Sequence, residues 1–142
     1  MKKRKQTNRM IFHHSLADKS SLNEIRNWHI DERGFAEIGY HYVILKDGTI
    51  EHGRDIQFQG AHALEKNHDS IGCCLEGNFH NYEPPLPQIE ACAKLYHDLC
   101  RLYQKNLKVE FHRPHWMKNA CPGKTLNRMD FLEVVYRADP FV

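Results

Sequence analysis

The sequence predicts an α/β fold: a single domain with a central mixed β-sheet flanked by helices. Three observations predict it. The chain has 142 residues, the size of one ordinary domain with a core of its own. Its candidate elements alternate in type, in the order strand, helix, hairpin, strand, helix, strand, helix, and alternation of this kind favours one sheet covered by helices. No internal repeat or low-complexity linker divides it.

Taken in order, "RMIFHHS" reads as a short strand entering a loop. Ser21, with Glu24 three residues later, makes a capping box. It opens a helix to about Glu32, with Ile25, Trp28 and His29 on one face, and Arg33-Gly34 ends it. "GYHYVILKDGTIEHGR" places β-branched and aromatic residues on either side of Asp47-Gly48, a hairpin signature. "SIGCCLEG" is a short apolar run bounded by turn residues, as a buried strand requires. Pro87 suits the first turn of the next helix. In that helix Ile89, Cys92, Ala93, Tyr96, Leu99, Cys100 and Tyr103 recur at spacings of three and four, an amphipathic stripe. "LKVEFH" is another strand, and "TLNRMDFLEVVYR" closes the chain as a helix.

Charge excludes some functions. Lys and Arg number 20 against 18 Asp and Glu, a formal net of +2, so no nucleic-acid partner is demanded. "MKKRKQTNR" reads as a basic, solvated arm over residues 1–9, leaving 10–142 as the folded domain. No apolar run of signal-peptide length follows those charges, and no stretch is long enough to span a membrane. Synthesis in the cytoplasm without a signal peptide, and no membrane partner, are the expectations.

Five cysteines are an odd number, and a reducing compartment makes a disulfide framework a poor reading. Cys73, Cys74, Cys92 and Cys100 lie in apolar runs and read as small core residues. Cys121 differs. It lies in "EFHRPHWMKNACPGK", among histidines and lysines, where a disulfide half, an idle thiol and a metal ligand all remain open. His13 and His14 are neighbours on a strand, so their side chains point to opposite faces and at most one of them serves a given site. His112 ends the strand "LKVEF", with eight residues between it and Cys121. Two imidazoles and a thiolate would leave a fourth position open on a zinc ion, the arrangement of a catalytic rather than a structural site. Spacing alone does not establish that set. Eleven histidines are equally compatible with a surface that simply carries them.

The motifs "IFHHS", "IRNWHIDERGFAEIGYHYVILKDGTIEHGRD", "GAHA", "NHDSIGCCLEGNF" and "FHR…ACPG" occur in this order from about Ile11 to Phe131. Together they resemble the type-2 amidase family, the zinc-dependent N-acetylmuramoyl-L-alanine amidases. That family includes small amidase-type phage lysozymes and the peptidoglycan-recognition proteins. The resemblance implies one Zn2+ per chain, held by His14, His112 and Cys121. It implies Tyr40 beside the scissile carbonyl, and His29, Arg33 and His62 along the substrate groove, with His41 and His68 as further groove or supporting candidates. The phage enzymes carry a catalytic lysine two residues before the zinc cysteine. Here that place is Asn119, and Lys118 stands three before Cys121, so a one-residue insertion in "RPHWMKN" would leave Lys118 as the catalytic lysine. His115, inside that loop, is the weaker rival ligand, and Glu76 reads as a strand-end carboxylate rather than a base. The implied reaction is hydrolysis of the amide between N-acetylmuramic acid and L-alanine, with peptidoglycan or muropeptides as partners. The implied setting is a phage or prophage endolysin acting on the cell wall after release, or an amidase of cytoplasmic muropeptides. A recognition protein that binds without cutting is the alternative, disfavoured by the presence of Cys121. A further alternative is a regulatory partner, since phage amidases of this size can inhibit RNA polymerase. The basic arm is where such a partner would bind, against the simpler reading of a disordered tail.

Overall fold

The computed structural model describes residues 1–137; the last five residues of the expected domain, 138–142, lie outside the described residues. Five strands and three helices follow the expected order: β1 (Arg9–His14), α1 (Leu22–Asp31), β2 (Tyr42–Ile44), β3 (Ile50–His52), β4 (Ser70–Leu75), α2 (Leu86–Tyr103), β5 (Lys108–Phe111) and α3 (Arg128–Tyr136). A 3-10 turn at Asn67–Asp69 precedes β4 and was not foreseen.

The strands pair in the order β3-β2-β4-β1-β5. β2, β4, β1 and β5 run parallel, and β3 returns antiparallel through the Asp47-Gly48 turn, so the sheet is mixed. Strand alternation sorts the side chains onto two faces. Met10, Phe12, Ile71, Cys73, Leu75 and Val109 form one face and pack with Cys92, Leu95, Tyr96 and Leu99 of α2 and Phe131 and Val135 of α3. On the opposite face Val43 and Cys74 pack with Ile25 of α1 and with Ile38. That second face carries the site.

Local signals explain the boundaries. The Ser21 hydroxyl accepts from the Glu24 N–H at 3.3 Å and donates to the Glu24 carboxylate, capping α1. Ile25 and His29 turn inward, whereas Trp28 is 51% exposed. Pro87 occupies the first turn of α2, where its missing N–H costs nothing. Asn127 caps α3 by accepting from the Asp130 N–H.

The basic arm, though largely exposed, is tied to the fold. Lys3 bridges Phe58, and the Arg4 N–H donates to the Gln57 carbonyl. The Arg4 guanidinium reaches the carbonyls of Ile56 and Phe58 and the Tyr103 hydroxyl. A cation with that many acceptors within reach is better satisfied against the fold than in a frayed tail. Among the described residues, no helix is long and apolar enough to cross a membrane.

Candidate active site

In a parallel sheet, ligands gather beyond the carboxyl ends of the strands, and this chain follows the rule. The register sets His13 of β1 beside Cys74 of β4. On the other side β1 pairs with β5 as far as Phe12 beside Phe111, and the next step brings His13 alongside His112, with ring centroids 4.4 Å apart. The His112 N–H continues the ladder to the Phe12 carbonyl. Cys121 arrives from the loop after β5. The Arg113 N–H donates to its carbonyl at 3.0 Å, and the His14 N–H donates to its Sγ at 3.4 Å. Arg128, at the start of α3, donates from Nη2 to the carbonyls of both Arg113 and Cys121 and so clasps the two ends of the loop. Gly123 is required just beyond: its φ is +108°, and a Cβ there would lie 2.2 Å from the Phe79 backbone.

His13, His112 and Cys121 each offer a ligand atom, and these atoms all lie within 4.8 Å of one another. His14, expected as the first ligand, is not in that group. It also lines the cleft, with its Nδ1 accepting from the Phe79 N–H at 3.1 Å and its ring packed on Phe79 and His80. Strand alternation turns the two neighbouring histidines apart, and it is the His13 ring that comes beside the His112 ring.

A cleft of about 530 Å³ opens over this group, lined among others by Trp28, His29, Arg33, Phe35, Tyr40, His62, Arg113 and Asn119. The electrostatics favour neutral donors. Burial drives the His13 imidazole well below its ordinary value and the His112 imidazole down to about 4, so both offer lone pairs at neutral pH. Burial pushes the Cys121 thiol up to about 11, opposed by the His14 N–H and by Arg113 and Arg128. A bound divalent cation would reverse that balance and hold the thiolate. Two neutral imidazoles and one thiol fit a catalytic zinc site of three protein ligands.

Tyr40 packs on His13 and His29, with ring centroids 5.0 and 5.3 Å apart. Burial beside Cys74 and Cys121 raises its phenol well above the ordinary value, so it remains a hydrogen-bond donor. His29 is buried, with Nδ1 accepting from the Gly39 N–H. Arg33 lies over the rings of Trp28 and Phe35 at the cleft wall. His62 lines the cleft, but both its ring nitrogens are engaged within the protein, with His13 and Ser70.

Other expectations shift. Lys118 is exposed and outside the cleft lining, which includes Asn119 instead. The loop between His112 and Cys121 makes two tight turns, Pro114 to Met117 and Met117 to Ala120, with Lys118 exposed in the second. Two cations line the cleft, Arg33 and Arg113, and Arg113 directly follows a proposed ligand. His41 is buried with both nitrogens engaged, by the Gly72 N–H and the Phe58 carbonyl. His68 and His115 are exposed, and His68 lies beside Asp69. Glu76 accepts from the N–H groups of Ser20 and Lys46, so it ties loops together.

This constellation has relatives. The N-acetylmuramoyl-L-alanine amidase family model matches residues 3–124. The endolysin of Escherichia phage T7 is 36% identical over 137 residues, 89% of this chain and 87% of that protein. Among solved structures, the N-acetylmuramoyl-L-alanine amidase LysC from Clostridium intestinale URNW aligns with a TM-score of 0.79 at 28% identity, over 89% of this chain and 83% of that one. A complex of tracheal cytotoxin with the ectodomains of peptidoglycan recognition proteins LCa and LCx aligns with a TM-score of 0.77 at 28% identity, over 87% of this chain and 80% of that one. The chain belongs to the N-acetylmuramoyl-L-alanine amidase family. It is an enzyme that hydrolyses the amide bond between N-acetylmuramic acid and L-alanine in peptidoglycan.

Proposed function

We propose that this amidase is a zinc enzyme of endolysin type, with His13, His112 and Cys121 holding one metal ion and Tyr40 acting on the scissile carbonyl. The observation that carries the reading is the convergence of three ligand atoms within 4.8 Å of one another at the base of the cleft. Zinc bound there would lower the pKa of a coordinated water towards about 7 and polarise the substrate carbonyl.

The chain's own groups do the remainder. The Tyr40 hydroxyl, kept protonated, donates to the carbonyl oxygen as negative charge develops. Arg113 supplies positive charge at the cleft in the role assigned to Lys118 on sequence grounds. Arg33, over two aromatic rings, presents a cation to the carboxylates of a stem peptide, and His29 supports the same wall. No observation favours a polymerase-binding role, because the arm that would carry it is docked on the fold. The setting that fits the phage relatives is lysis of a host cell wall by a phage or prophage enzyme.

The test joins metal content to product chemistry. Protein purified without chelator is assayed for zinc per chain and then incubated with purified peptidoglycan. The expected result is about one zinc per chain, with new L-alanine amino termini that vanish with chelator and return with zinc. Cleavage that survives complete zinc removal would overturn the metal assignment.

A further inference from the structure

His13 reaches the metal group with one of its two nitrogens already committed. Its Nε2 lies 2.8 Å from His62 Nδ1. His62 Nε2 lies 3.2 Å from Ser70 Oγ, which in turn lies 2.7 Å from the Lys66 carbonyl oxygen. We propose that Ser70 and His62 are positioning residues that lock His13 in the tautomer protonated on Nε2, leaving Nδ1 as its one free lone pair for a metal.

The assignment follows from counting hydrogens. A carbonyl oxygen has none, so the 2.7 Å contact to Lys66 requires the Ser70 hydroxyl proton. The serine then meets His62 with a lone pair, and His62 Nε2 must carry a hydrogen. A neutral imidazole has only one N–H, so His62 Nδ1 is an acceptor, and the proton between the two rings belongs to His13 Nε2. The reverse placement would make His62 a cation and leave the neutral His13 protonated on Nδ1, closing that nitrogen to any metal.

The relay is rigidly seated. Ser70 is fully buried at the start of β4. The His62 ring lies directly over Gly72, where a Cβ would come within 2.5 Å of it, and a Cβ at Gly60 would meet it at 2.6 Å. Asn67 Oδ1 accepts from the N–H groups of His62 and Ala63, both at 3.0 Å, and fixes the loop that delivers the ring. The two imidazoles meet edge to face at 78°. Metal-ligating histidines commonly give their second N–H to a carboxylate, carbonyl or water; here a second imidazole and a serine do that work. His62 is therefore assigned to holding His13 rather than to contacting peptide.

The consequence for metal affinity rests on the zinc reading above, but the tautomer does not, and the test separates them. Long-range 1H–15N correlation spectra of the metal-free full-length protein should show His13 and His62 each protonated on Nε2 only. Zinc dissociation constants, measured by chelator competition, should rise about 10- to 100-fold in His62→Phe. His62→Gln, whose amide oxygen can accept the His13 proton, should recover most of that loss. Ser70→Ala should give a smaller rise in the constant and mixed tautomer signals at His62, and it decides the matter should His62→Phe not fold. Metal-free His13 protonated on Nδ1, or wild-type zinc affinity in a folded His62→Phe or with unaltered His62 signals in Ser70→Ala, would overturn the relay. A wild-type protein that takes up no zinc would instead sink the metal assignment, with the spectra still deciding the tautomer.

Discussion

The imidazoles of His13 and His112 lie with ring centroids 4.4 Å apart, brought together by two adjacent parallel strands that are 99 residues apart in the chain. His13 lies within β1, and His112 follows directly on the end of β5, its N–H carrying the ladder one step further to the Phe12 carbonyl.

This placement separates two neighbouring histidines. His13→Ala should abolish zinc binding and activity. His14→Ala should retain zinc and lose stability, because the buried Phe79 N–H loses its acceptor at a cost of about 1–3 kcal/mol. Metal analysis and denaturant midpoints of the two variants check this, and zinc lost from His14→Ala but retained in His13→Ala would reverse the assignment.

Tyr40→Phe should bind zinc as the wild type does. Removing one donor to a developing oxyanion typically costs a factor of about 100 to 1000 in kcat. Turnover on a soluble muropeptide at saturating substrate is the measurement, and an unimpaired kcat would remove Tyr40 from the chemistry.

Lys118 and Arg113 make a paired prediction. Lys118→Ala should be close to wild type, since the side chain is exposed outside the cleft. Arg113→Ala should lower kcat/KM by at least about tenfold, the scale of one charge-assisted contact. The opposite ranking in a kinetic comparison would show that the loop carries Lys118 into the cleft when substrate binds.

Stability should fall in mild acid. Burial lowers both His29 and His41 to about 4, each with arginines nearby adding to the effect. Both are neutral in the folded and the unfolded chain above about pH 6.5. Between about pH 6.5 and 4 the unfolded chain takes up protons that the folded one refuses, so stability decreases as pH falls, by up to about 1.4 kcal/mol per pH unit for each imidazole. Below about pH 4 this contribution levels off. Urea denaturation of the metal-free protein at pH 7, 5.5 and 4.5 measures it, and His41→Gln should flatten the slope.

Removal of residues 1–5 should destabilise the protein by roughly 1–3 kcal/mol, because Arg4 ties the segment before the site to Tyr103 of α2. A thermal midpoint unchanged by the truncation would return the arm to the role of a tail.

Several features were legible from residue order. Ser21 and Glu24 announced α1, Asp47-Gly48 the hairpin, and Pro87 the start of α2, because capping, turn and first-turn preferences act within a few residues. His112 and Cys121 were paired through the family resemblance alone, since residue order left Cys121 open, and the structure brings their ligand atoms together. That Lys118 lies exposed outside the cleft lining was not legible, because a loop's path in three dimensions is not recorded in sequence offset. Nothing local says that the ring of His62, which lines the cleft, will also rest on Gly72 and close against His13.

The sequence by itself determined the kinds of elements, their order and the donor chemistry available, for these depend on short-range periodicity and residue type. Only the tertiary structure decided that the ligand atom of His13 gathers with those of His112 and Cys121, that Arg113 lines the cleft and Lys118 does not, and that the basic arm is bound. A strand turns successive side chains to opposite faces, so a shift of one residue in register exchanges every partner. That register is set by long-range pairing of β1 with β4 and β5, which no local stretch of the chain contains.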